Sequence, residues 1–317
     1  MLHPHMQVLT THGFIPVAQL HHHRVANIDP NSGHLVGYSR CTSEQFPYNG
    51  DMYHITGAVD ALFTPDNPIY ISLSNTQDKR RYPRFERLPA SCIHSPSRWA
   101  RGASATDLYT WSDVQWARLI GFIIGDGHAS SRNIISFHLS RQRKIDWLTQ
   151  LCAQMALPLN THPYNRYTIQ SPDIGIWCRK TLYSPNGDKR IPLHFLSASQ
   201  AVIEGLIDGL MTSDGHLHTL YTTTSPQVAD TLLALGAISG HLFSMAYRQD
   251  MYRLNRIHRL HYPHVNDSRS KATIIQTEAY VGDVYRVTTE TGVIVAKMNM
   301  RTVLIGSELF PKSDGSD

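Results

Sequence analysis

Two apolar nine-residue segments each end in an aspartate followed by a glycine. Residues 119–127 are LIGFIIGDG, with a carboxylate at Asp126, and residues 207–215 are IDGLMTSDG, with a carboxylate at Asp214. Carboxylate oxygens are the hard ligands that Mg²⁺ prefers. A metal ion held between two of them can activate water and stabilise the leaving oxygen when a phosphodiester is cleaved. These residue types indicate metal-dependent hydrolysis, provided that the fold brings the two aspartates together.

The apolar character of both segments predicts helices that position these aspartates. Gly121 and Gly125 lie four residues apart and therefore share one helix face, as do Gly209 and Ser213. Small residues at this spacing allow two helices to pack with their backbones nearly in contact. The sequence therefore predicts that the two helices lie side by side.

The glycines after the aspartates are predicted to end the two helices. Gly127 and Gly215 are typical C′ residues, because glycine readily adopts a positive φ. The aspartates would then lie at helix C-termini, where the helix dipole disfavours a carboxylate by up to about 1 kcal/mol. Two such placements at matching positions indicate that a cationic group or ion offsets this unfavourable free energy.

Both segments resemble the LAGLIDADG motif, and their spacing is similar to that of two-motif, single-chain homing endonucleases. The approximate repeat of residues 115–160 in residues 203–247 agrees with this resemblance. The resemblance implies an α+β fold with a pseudo-twofold core, in which two αββαββα-like repeats form a DNA saddle. It also implies a monomer that cuts double-stranded DNA at a long recognition site and leaves short 3′ overhangs. Its cofactor would be Mg²⁺, with Mn²⁺ or Ca²⁺ able to substitute in binding.

The resemblance implies roles for particular residues. Lys189, in the DKRIP segment at 188–192, corresponds to a lysine that polarises water or the scissile phosphate. Taken alone, Lys189 is an exposed lysine beside an Asn-Gly turn, so this role comes from the resemblance. The implied catalytic residues are Asp126, Asp214, Lys189 and Lys271, and the implied metal-binding residues are Asp126, Asp214, Gly125 and Ser213. The TTTSP run at 222–226 also resembles a family segment, and Ser225 is predicted to cap a helix that begins at Pro226.

Basic residues with interleaved aromatic side chains cluster in two stretches of the chain. The net charge of +4 permits a nucleic-acid partner without requiring one, and such clusters are equally typical of a solvated surface and of a DNA-facing strip. The predicted DNA contacts are Arg80, Arg81, Arg84, Arg87, Arg98 and Arg101 in the first cluster, Arg248 and Arg253 in the second, and Arg132, His138, Arg190, Thr222 and Thr224 between them.

The two ends of the chain are predicted to be β-rich. Alternating patterns separated by turn residues, such as Asn49-Gly50, favour short strands in residues 1–75, and similar patterns occur at 284–289 and 293–296. Both ends resemble the halves of an intein splicing (Hint) domain. The expected domains are a Hint-like β domain at 1–77 and 271–310, a basic linker or DNA-contacting arm at 78–110, an endonuclease at 111–270 with repeats at about 111–195 and 196–270, and a disordered tail at 311–317.

The splicing chemistry is expected to be lost. No nucleophilic Cys or Ser stands ahead of Val8, and Asn67 replaces the histidine of the Thr-x-x-His block. Ser307 replaces the terminal asparagine, and Glu308 stands where an acceptor Cys, Ser or Thr belongs. These four differences argue against an autoprocessing protein, and we expect the Hint-like domain to serve as structure or as a further DNA-binding platform.

Composition excludes several other classes. The four cysteines lie far apart, which indicates neither a zinc ribbon nor a disulfide framework, and no apolar stretch is long enough for a membrane span. We therefore expect a cytoplasmic protein, and the resemblance to homing endonucleases implies that a phage or microbe encodes it. The alternative function is a nucleic-acid-binding protein that does not cleave, such as an intron maturase. The retention of both aspartates favours the nuclease, and a purely structural role leaves the duplicated motif unexplained.

Overall fold

The computed structural model describes residues 1–73, 86–90, 97–99, 111–129, 134–216, 219–257, 264–265 and 273–309. The chain forms two compact units. The first comprises Met1–Thr106, Gly236–Ser244 and Ile257–Asp317, and the second comprises Asp107–Leu235 and Met245–Arg256. The described residues combine helices and sheets, so the α+β class is confirmed. Within these ranges, no helix has the length and apolarity needed to cross a membrane.

Strands dominate both ends of the chain, and helices alternate with strands between them. In chain order, the elements are β1 (Gln7–Thr10), β2 (Gly13–Pro16), β3 (Arg24–Ile28), β4 (Leu35–Arg40), β5 (Thr42–Gly57), β6 (Ala61–Phe63), β7 (Pro68–Leu73), β8 (Glu86–Pro89), β9 (Ser97–Trp99), α1 (Trp111–Asp126), β10 (Gly127–Ala129), β11 (Ile134–His138), α2 (Gln142–Gln154), β12 (Leu159–His162), β13 (Arg166–Gln170) and α3 (Pro172–Thr181). They continue as α4 (Gln200–Ser213), β14 (Gly215–His216), β15 (Leu220–Thr223), α5 (Pro226–Ser239), β16 (Phe243–Arg248), β17 (Met251–Arg256), β18 (His264–Val265), β19 (Thr273–Thr289), β20 (Val293–Met298), β21 (Arg301–Gly306) and β22 (Glu308–Leu309). Short 3-10 helices lie at Val17–Gln19 and Leu193–Ser197.

The first unit is made of strands from both ends of the chain. One sheet has the order β18-β9-β7-β21-β20-β1-β3-β4, and in addition β2 pairs with β1 and β8 pairs with β7. A second sheet has the order β22-β19-β5-β6. The long strands β5 and β19 are antiparallel from Thr42, opposite Thr288, to Gly57, opposite Thr273. Residues from both chain ends, such as Val8 and Ile305, share one buried core. The two ends therefore fold together although the central segment separates them in sequence.

One prediction about the β-rich ends was wrong in detail. Asn49-Gly50 is not a turn but lies in the middle of β5, where Gly50 pairs with Tyr280 of β19. The long partner strand satisfies the backbone there, so tertiary pairing overrides the local turn preference. Residues 78–110, predicted to be a linker, include β8 and β9, which both pair with β7. Contact of this segment with DNA stays a prediction.

Two helix-and-sheet halves follow one another along the chain, and they make up the second unit except for Gly236–Ser244, which belongs to the first. The first half follows the order α1, β10, β11, α2, β12, β13, α3, and the second follows α4, β14, β15, α5, β16, β17. The strand orders are β10-β11-β13-β12 and β14-β15-β17-β16, so corresponding strands occupy corresponding places. Alternate residues of the strands are buried, including Ile135 and Phe137 of β11. Each sheet therefore packs one face inward and leaves polar residues on the other.

A histidine in the first unit links segments that are distant in sequence. The Nδ1 atom of His54 lies 2.7 Å from Oε1 of Glu278, and its Nε2 atom lies 3.3 Å from Oδ1 of Asp60. Asn299 donates a 2.7 Å hydrogen bond to the other oxygen of Asp60. Burial opposes protonation of His54, but hydrogen bonds and charges from Glu278 and Asp60 outweigh it and raise the His54 pKa. When it is protonated, the imidazole donates to both carboxylates and thereby ties β5 to β19 and to the segment before β6.

We expect His54→Gln to lower the free energy of unfolding by about 1 kcal/mol at pH 6 and by less at pH 9. A raised folded-state pKa gives stability that is present below the unfolded value and is lost as the pH rises through the folded value. Chemical denaturation at both pH values measures the change, and His21→Gln, on an exposed histidine of the same unit, is the control. An equal loss of stability at pH 6 and pH 9 would contradict the role of the charge.

Candidate active site

Helices α1 and α4 pack with their backbones in direct contact. A Cβ atom at Gly121 would overlap the carbonyl oxygen of Leu206, and a Cβ atom at Gly209 would overlap the carbonyl oxygen of Arg118. Both glycines are buried. The shared small-residue face predicted from the motif is therefore the interface between these two helices. An ion pair beside the interface, 2.9 Å between Nε of Arg118 and Oδ2 of Asp208, joins the same two helices.

The close packing brings the two motif aspartates together. A Cβ atom at Gly125 would overlap the hydroxyl of Ser213 and would lie 3.4 Å from Cγ of Asp214. Asp126 is the last residue of α1, and Asp214 directly follows the last residue of α4. The two carboxyl groups are close enough to hydrogen-bond when one is protonated, and partial desolvation of the Asp214 carboxyl together with the charge of Asp126 raises the Asp214 pKa. The site therefore concentrates negative charge at paired helix ends.

The glycines after the aspartates have a different role from the one predicted. Gly127 and Gly215 have no positive φ, so they are not left-handed helix caps. A Cβ atom at Gly127 would lie 2.7 Å from Cα of Ile123, and one at Gly215 would overlap the carbonyl oxygen of Met211. The chain turns directly from each helix into a strand that crosses the last helical turn. Glycine is needed for close approach, and not for its backbone conformation.

Lys189 reaches the end of the first motif helix. Its Nζ atom donates hydrogen bonds to the carbonyl oxygens of Gly125 at 2.7 Å and Ile123 at 3.3 Å. Burial lowers the Lys189 pKa, while the charges of Asp214 and Asp126 oppose that shift. Lys189 is therefore not merely an exposed turn lysine: its ammonium group stabilises a negative helix C-terminus beside the two carboxylates.

The segment that carries Lys189 is held in place by the start of α5. The hydroxyl of Ser225 donates to the Lys189 carbonyl at 2.8 Å and accepts a hydrogen bond from the Val228 amide at 3.3 Å. The predicted cap on a helix beginning at Pro226 is therefore confirmed. The side-chain oxygen of Gln227 accepts a hydrogen bond from the Ile191 amide at 2.8 Å, and its side-chain nitrogen donates one to the Ile191 carbonyl at 2.9 Å. These contacts fix the direction in which Lys189 extends.

A second lysine lies at the site that no sequence motif predicted. Lys144, in the first turn of α2, places its Nζ atom 2.5 Å from Oδ2 of Asp126. No motif surrounds it, but it is the only lysine between Asp126 and Lys180. That scarcity was the one indication in the sequence. The carboxylate pair is thus flanked by two ammonium groups, one on the Asp126 carboxylate and one on the carbonyls at the end of α1.

The remaining predicted site residues are distributed over both units. Arg87 donates to the Ser307 carbonyl at 2.9 and 2.6 Å, and Arg190 donates to the carbonyls of Thr181 and Lys180 at 2.9 and 3.1 Å, so both guanidinium groups bind backbone. Thr222 pairs with Arg253 between β15 and β17, whereas Thr224, Arg248 and His138 are exposed. Arg98 lies in β9. Arg80, Arg81, Arg84, Arg101, Arg132 and Lys271 lie outside the described residues.

The carboxylate pair is compatible with a divalent cation. Mg²⁺ is commonly bound through one or two carboxylates, with water and substrate phosphates as the other ligands. Asp126 and Asp214 supply the two carboxylates, and the pKa of Asp214 is raised first by desolvation and then by the negative charge of Asp126 beside it. Gly125 and Ser213 contact each other at the helix interface, but the carbonyl of Gly125 already accepts from Lys189 and the hydroxyl of Ser213 donates to Leu210 at 2.8 Å. Among the described residues, no group of three or more His, Cys, Asp or Glu side chains forms a metal cluster.

Comparison with known proteins gives partial matches. No protein-family model matches the sequence. An ATP-dependent Clp protease proteolytic subunit from Chlamydomonas moewusii is 32% identical over 77 residues, which are 24% of this chain and 8% of that protein. The chain thus spans only a small part of the curated relative that it matches.

Solved structures with a similar arrangement include LAGLIDADG proteins. A mesophilic variant of the homing endonuclease I-DmoI is 14% identical with a TM-score of 0.34, covering 46% of this chain and 89% of the other. I-DmoI in complex with DNA and Ca is 13% identical with a TM-score of 0.34, covering 46% and 84%. The N-terminal LAGLIDADG domain of DUF199/WhiA is 13% identical with a TM-score of 0.32, covering 47% and 78%. These similarities extend over about half of the chain.

The glycine interface gives a direct test of how the aspartates are brought together. We expect Gly121→Ala or Gly209→Ala to lower the free energy of unfolding of the second unit by about 1–3 kcal/mol, because each added methyl group overlaps rigid backbone. Thermal and chemical denaturation measure the loss, and Gln150→Ala on the exposed face of α2 is the control. If both glycine variants match the parent in stability, the helices do not depend on backbone contact.

Proposed function

We propose that this protein is a site-specific endonuclease of the LAGLIDADG type that hydrolyses phosphodiester bonds in double-stranded DNA. The observation that carries the proposal is the meeting of the Asp126 and Asp214 carboxyl groups at the ends of two closely packed helices. Each helix leads into a four-stranded antiparallel sheet. Two paired carboxylates flanked by ammonium groups suit the chemistry of phosphodiester cleavage better than they suit a purely structural role.

In this proposal the two carboxylates hold Mg²⁺, and Mn²⁺ or Ca²⁺ can take its place in binding. When bound, such an ion supplies Lewis acidity and lowers the pKa of a coordinated water. The protein's own residues orient the groups. Lys144 holds the Asp126 carboxylate, and Lys189, with its lowered pKa, lies within reach of a water or a scissile phosphate above the helix ends. We also propose that Lys271 is the second active-site lysine that the resemblance implies. Gly125 and Ser213 are likewise proposed to contact the metal.

We further propose that the two halves of the second unit are pseudo-twofold repeats that form a DNA saddle within one monomer. Their corresponding strand orders support this arrangement. Polar residues on the sheets, including Thr222 and Arg253, would meet base edges in the major groove, while exposed residues such as Arg248 would meet phosphates. A long recognition site and short 3′ overhangs follow from the same proposal.

The first unit is proposed to be a Hint-like domain that no longer splices. The residues compared with splicing blocks lie near one another: the Thr64 amide donates to the Met1 carbonyl at 2.9 Å, and the Asn67 side chain donates to the Gly306 carbonyl at 3.5 Å. Asn67 lacks the imidazole of a splicing histidine, and Ser307 lacks the carboxamide of a terminal asparagine. The domain would then act as structure or as a further DNA-binding surface.

The main test is cleavage of DNA that carries the genomic site at which this protein is encoded, with the inserted coding sequence removed. With Mg²⁺, the parent chain is expected to cut both strands, and Asp126→Asn and Asp214→Asn are each expected to be at least about 10³-fold slower, because several kcal/mol of charge stabilisation are lost. Labelled strands resolved on a denaturing gel measure the rates.

Binding provides the control for that experiment. Both asparagine variants should still bind the same duplex in a gel-shift assay, since the sheets are unchanged. Tight, specific binding by the parent without any cleavage would refute the nuclease and favour a maturase or another DNA-binding role. Cleavage that persists in both variants would refute the assignment of the aspartates.

The two lysines should differ in their effects. Lys189→Met is expected to slow cleavage about 10²-fold, because a proton-transferring or polarising group is lost. Lys144→Met is expected to raise the Asp214 pKa further, since a positive charge leaves the carboxylate pair. The pH profile of cleavage measures both effects, and Lys180→Met, at the end of α3, is the control. Identical profiles for the parent and both lysine variants would exclude these roles.

A further inference from the structure

The loop between β12 and β13 holds a tyrosine in an unfavourable backbone conformation. The loop consists of residues 163–165 and joins His162 to Arg166, which pair with each other. Tyr164 and Asn165 have φ angles of 62° and 58°. A positive φ is common for asparagine in turns, but for a residue as bulky as tyrosine it is rare and strained. The loop therefore keeps Tyr164 although asparagine or glycine would suit its backbone better.

The Tyr164 side chain projects into solvent. It is 89% exposed, and within the described part of the chain it makes no side-chain hydrogen bond and no ring contact. A single exposed aromatic residue is ordinary on a protein surface, but this one also occupies a strained position. Neither the core nor the turn gains stability from the ring. Strain at an exposed aromatic side chain points to a contact with a partner molecule.

The loop lies at the same end of its sheet as the motif aspartate of the first half. The Leu139 amide donates a 3.0 Å hydrogen bond to the carbonyl of Asn165. Leu139 directly follows β11, whose last turn of pairing sets that strand against Gly127, the residue after Asp126. Tyr164 therefore projects from the aspartate end of the sheet β10-β11-β13-β12.

The corresponding loop of the second half has no such projection. Gln249 and Asp250 join β16 to β17, and both also have a positive φ. Their side chains bond back to the flanking strands, because Arg253 donates to Gln249 at 2.7 Å and the Tyr247 hydroxyl donates to Asp250 at 3.4 Å. The two loops thus share a strained backbone, but only the first presents an unpartnered aromatic ring.

We propose that Tyr164 inserts its ring into a groove of duplex DNA beside the cleavage site and packs against carbon atoms of the bases and sugars. This inference rests on the proposed endonuclease function, because a duplex lying over Asp126 and Asp214 passes the aspartate end of the first sheet. A loop of three residues is a narrow projection that a groove can admit, and apolar side chains enter DNA grooves in this way. The contact carries no charge, so it differs from binding of phosphates, and it fixes the duplex on the side of the first half only.

Tyr164→Asn separates the contact with DNA from the stability of the fold. Because asparagine suits the loop conformation, we expect the melting temperature of the full chain to rise by about 1–3 °C. The affinity for DNA should fall about tenfold, as expected when one aromatic contact is lost. The slope of log affinity against log salt should not change, since no phosphate contact is removed. Fluorescence anisotropy of the labelled duplex from the cleavage test, with Ca²⁺ as the divalent ion, measures the affinity and the slope.

Two further variants serve as controls. Tyr164→Phe keeps the ring and loses only the hydroxyl, so its affinity should lie within about twofold of the parent. Ala156→Gly relieves a positive φ of 53° at an exposed position just after α2. It should raise the melting temperature as Tyr164→Asn does, but it should bind DNA like the parent.

The outcomes separate this inference from the proposed function. Parent-like affinity of Tyr164→Asn, with normal binding and cleavage by the parent, would overturn the groove contact and leave the endonuclease standing. A tenfold loss in Tyr164→Phe or in Ala156→Gly would also overturn it, because the ring would then not be the binding group. A parent chain that binds no duplex at any salt concentration would overturn both proposals.

Discussion

The organisation of the second unit depends on the backbone contact between α1 and α4. At Gly121 and Gly209 the opposing helix backbone occupies the space that a side chain would fill. Any larger residue would push the helices apart, and the helix ends would separate with them. The contact between Asp126 and Asp214 is thus a consequence of helix packing. The close approach also explains why small residues recur at the same positions in both motifs.

Bringing two carboxylates together costs free energy, because their charges repel and the helix dipoles disfavour them. The structure offsets that cost with two lysines in different ways. Lys144 pairs directly with Asp126, while Lys189 stabilises the carbonyls at the end of the same helix. Both ammonium groups thus contact the α1 side of the pair. The difference extends to the helices that follow, since α2 starts with Arg141 and α5 starts with a Ser225 cap.

The first unit shows how residues from both ends of the chain form one core. The antiparallel pairing of β5 with β19 and the insertion of β1 beside β20 join segments that are far apart in sequence. Long-range pairing of this kind joins the two ends of the chain, between which the helices α1 to α5 are encoded. The arrangement agrees with the proposed insertion of an endonuclease into a Hint-like domain.

The sequence by itself determined the elements whose residues act locally. The duplicated motif, its small-residue face, the Ser225 cap and the strands at both ends could all be predicted, because periodicity and capping depend on near neighbours. Only the tertiary structure decided features that depend on distant partners. Asn49-Gly50 became part of a strand because β19 pairs with it, and Gly127 and Gly215 proved necessary for close approach instead of positive φ. Lys144 had no motif to mark it, and it reaches Asp126 only because α2 folds back against the end of α1.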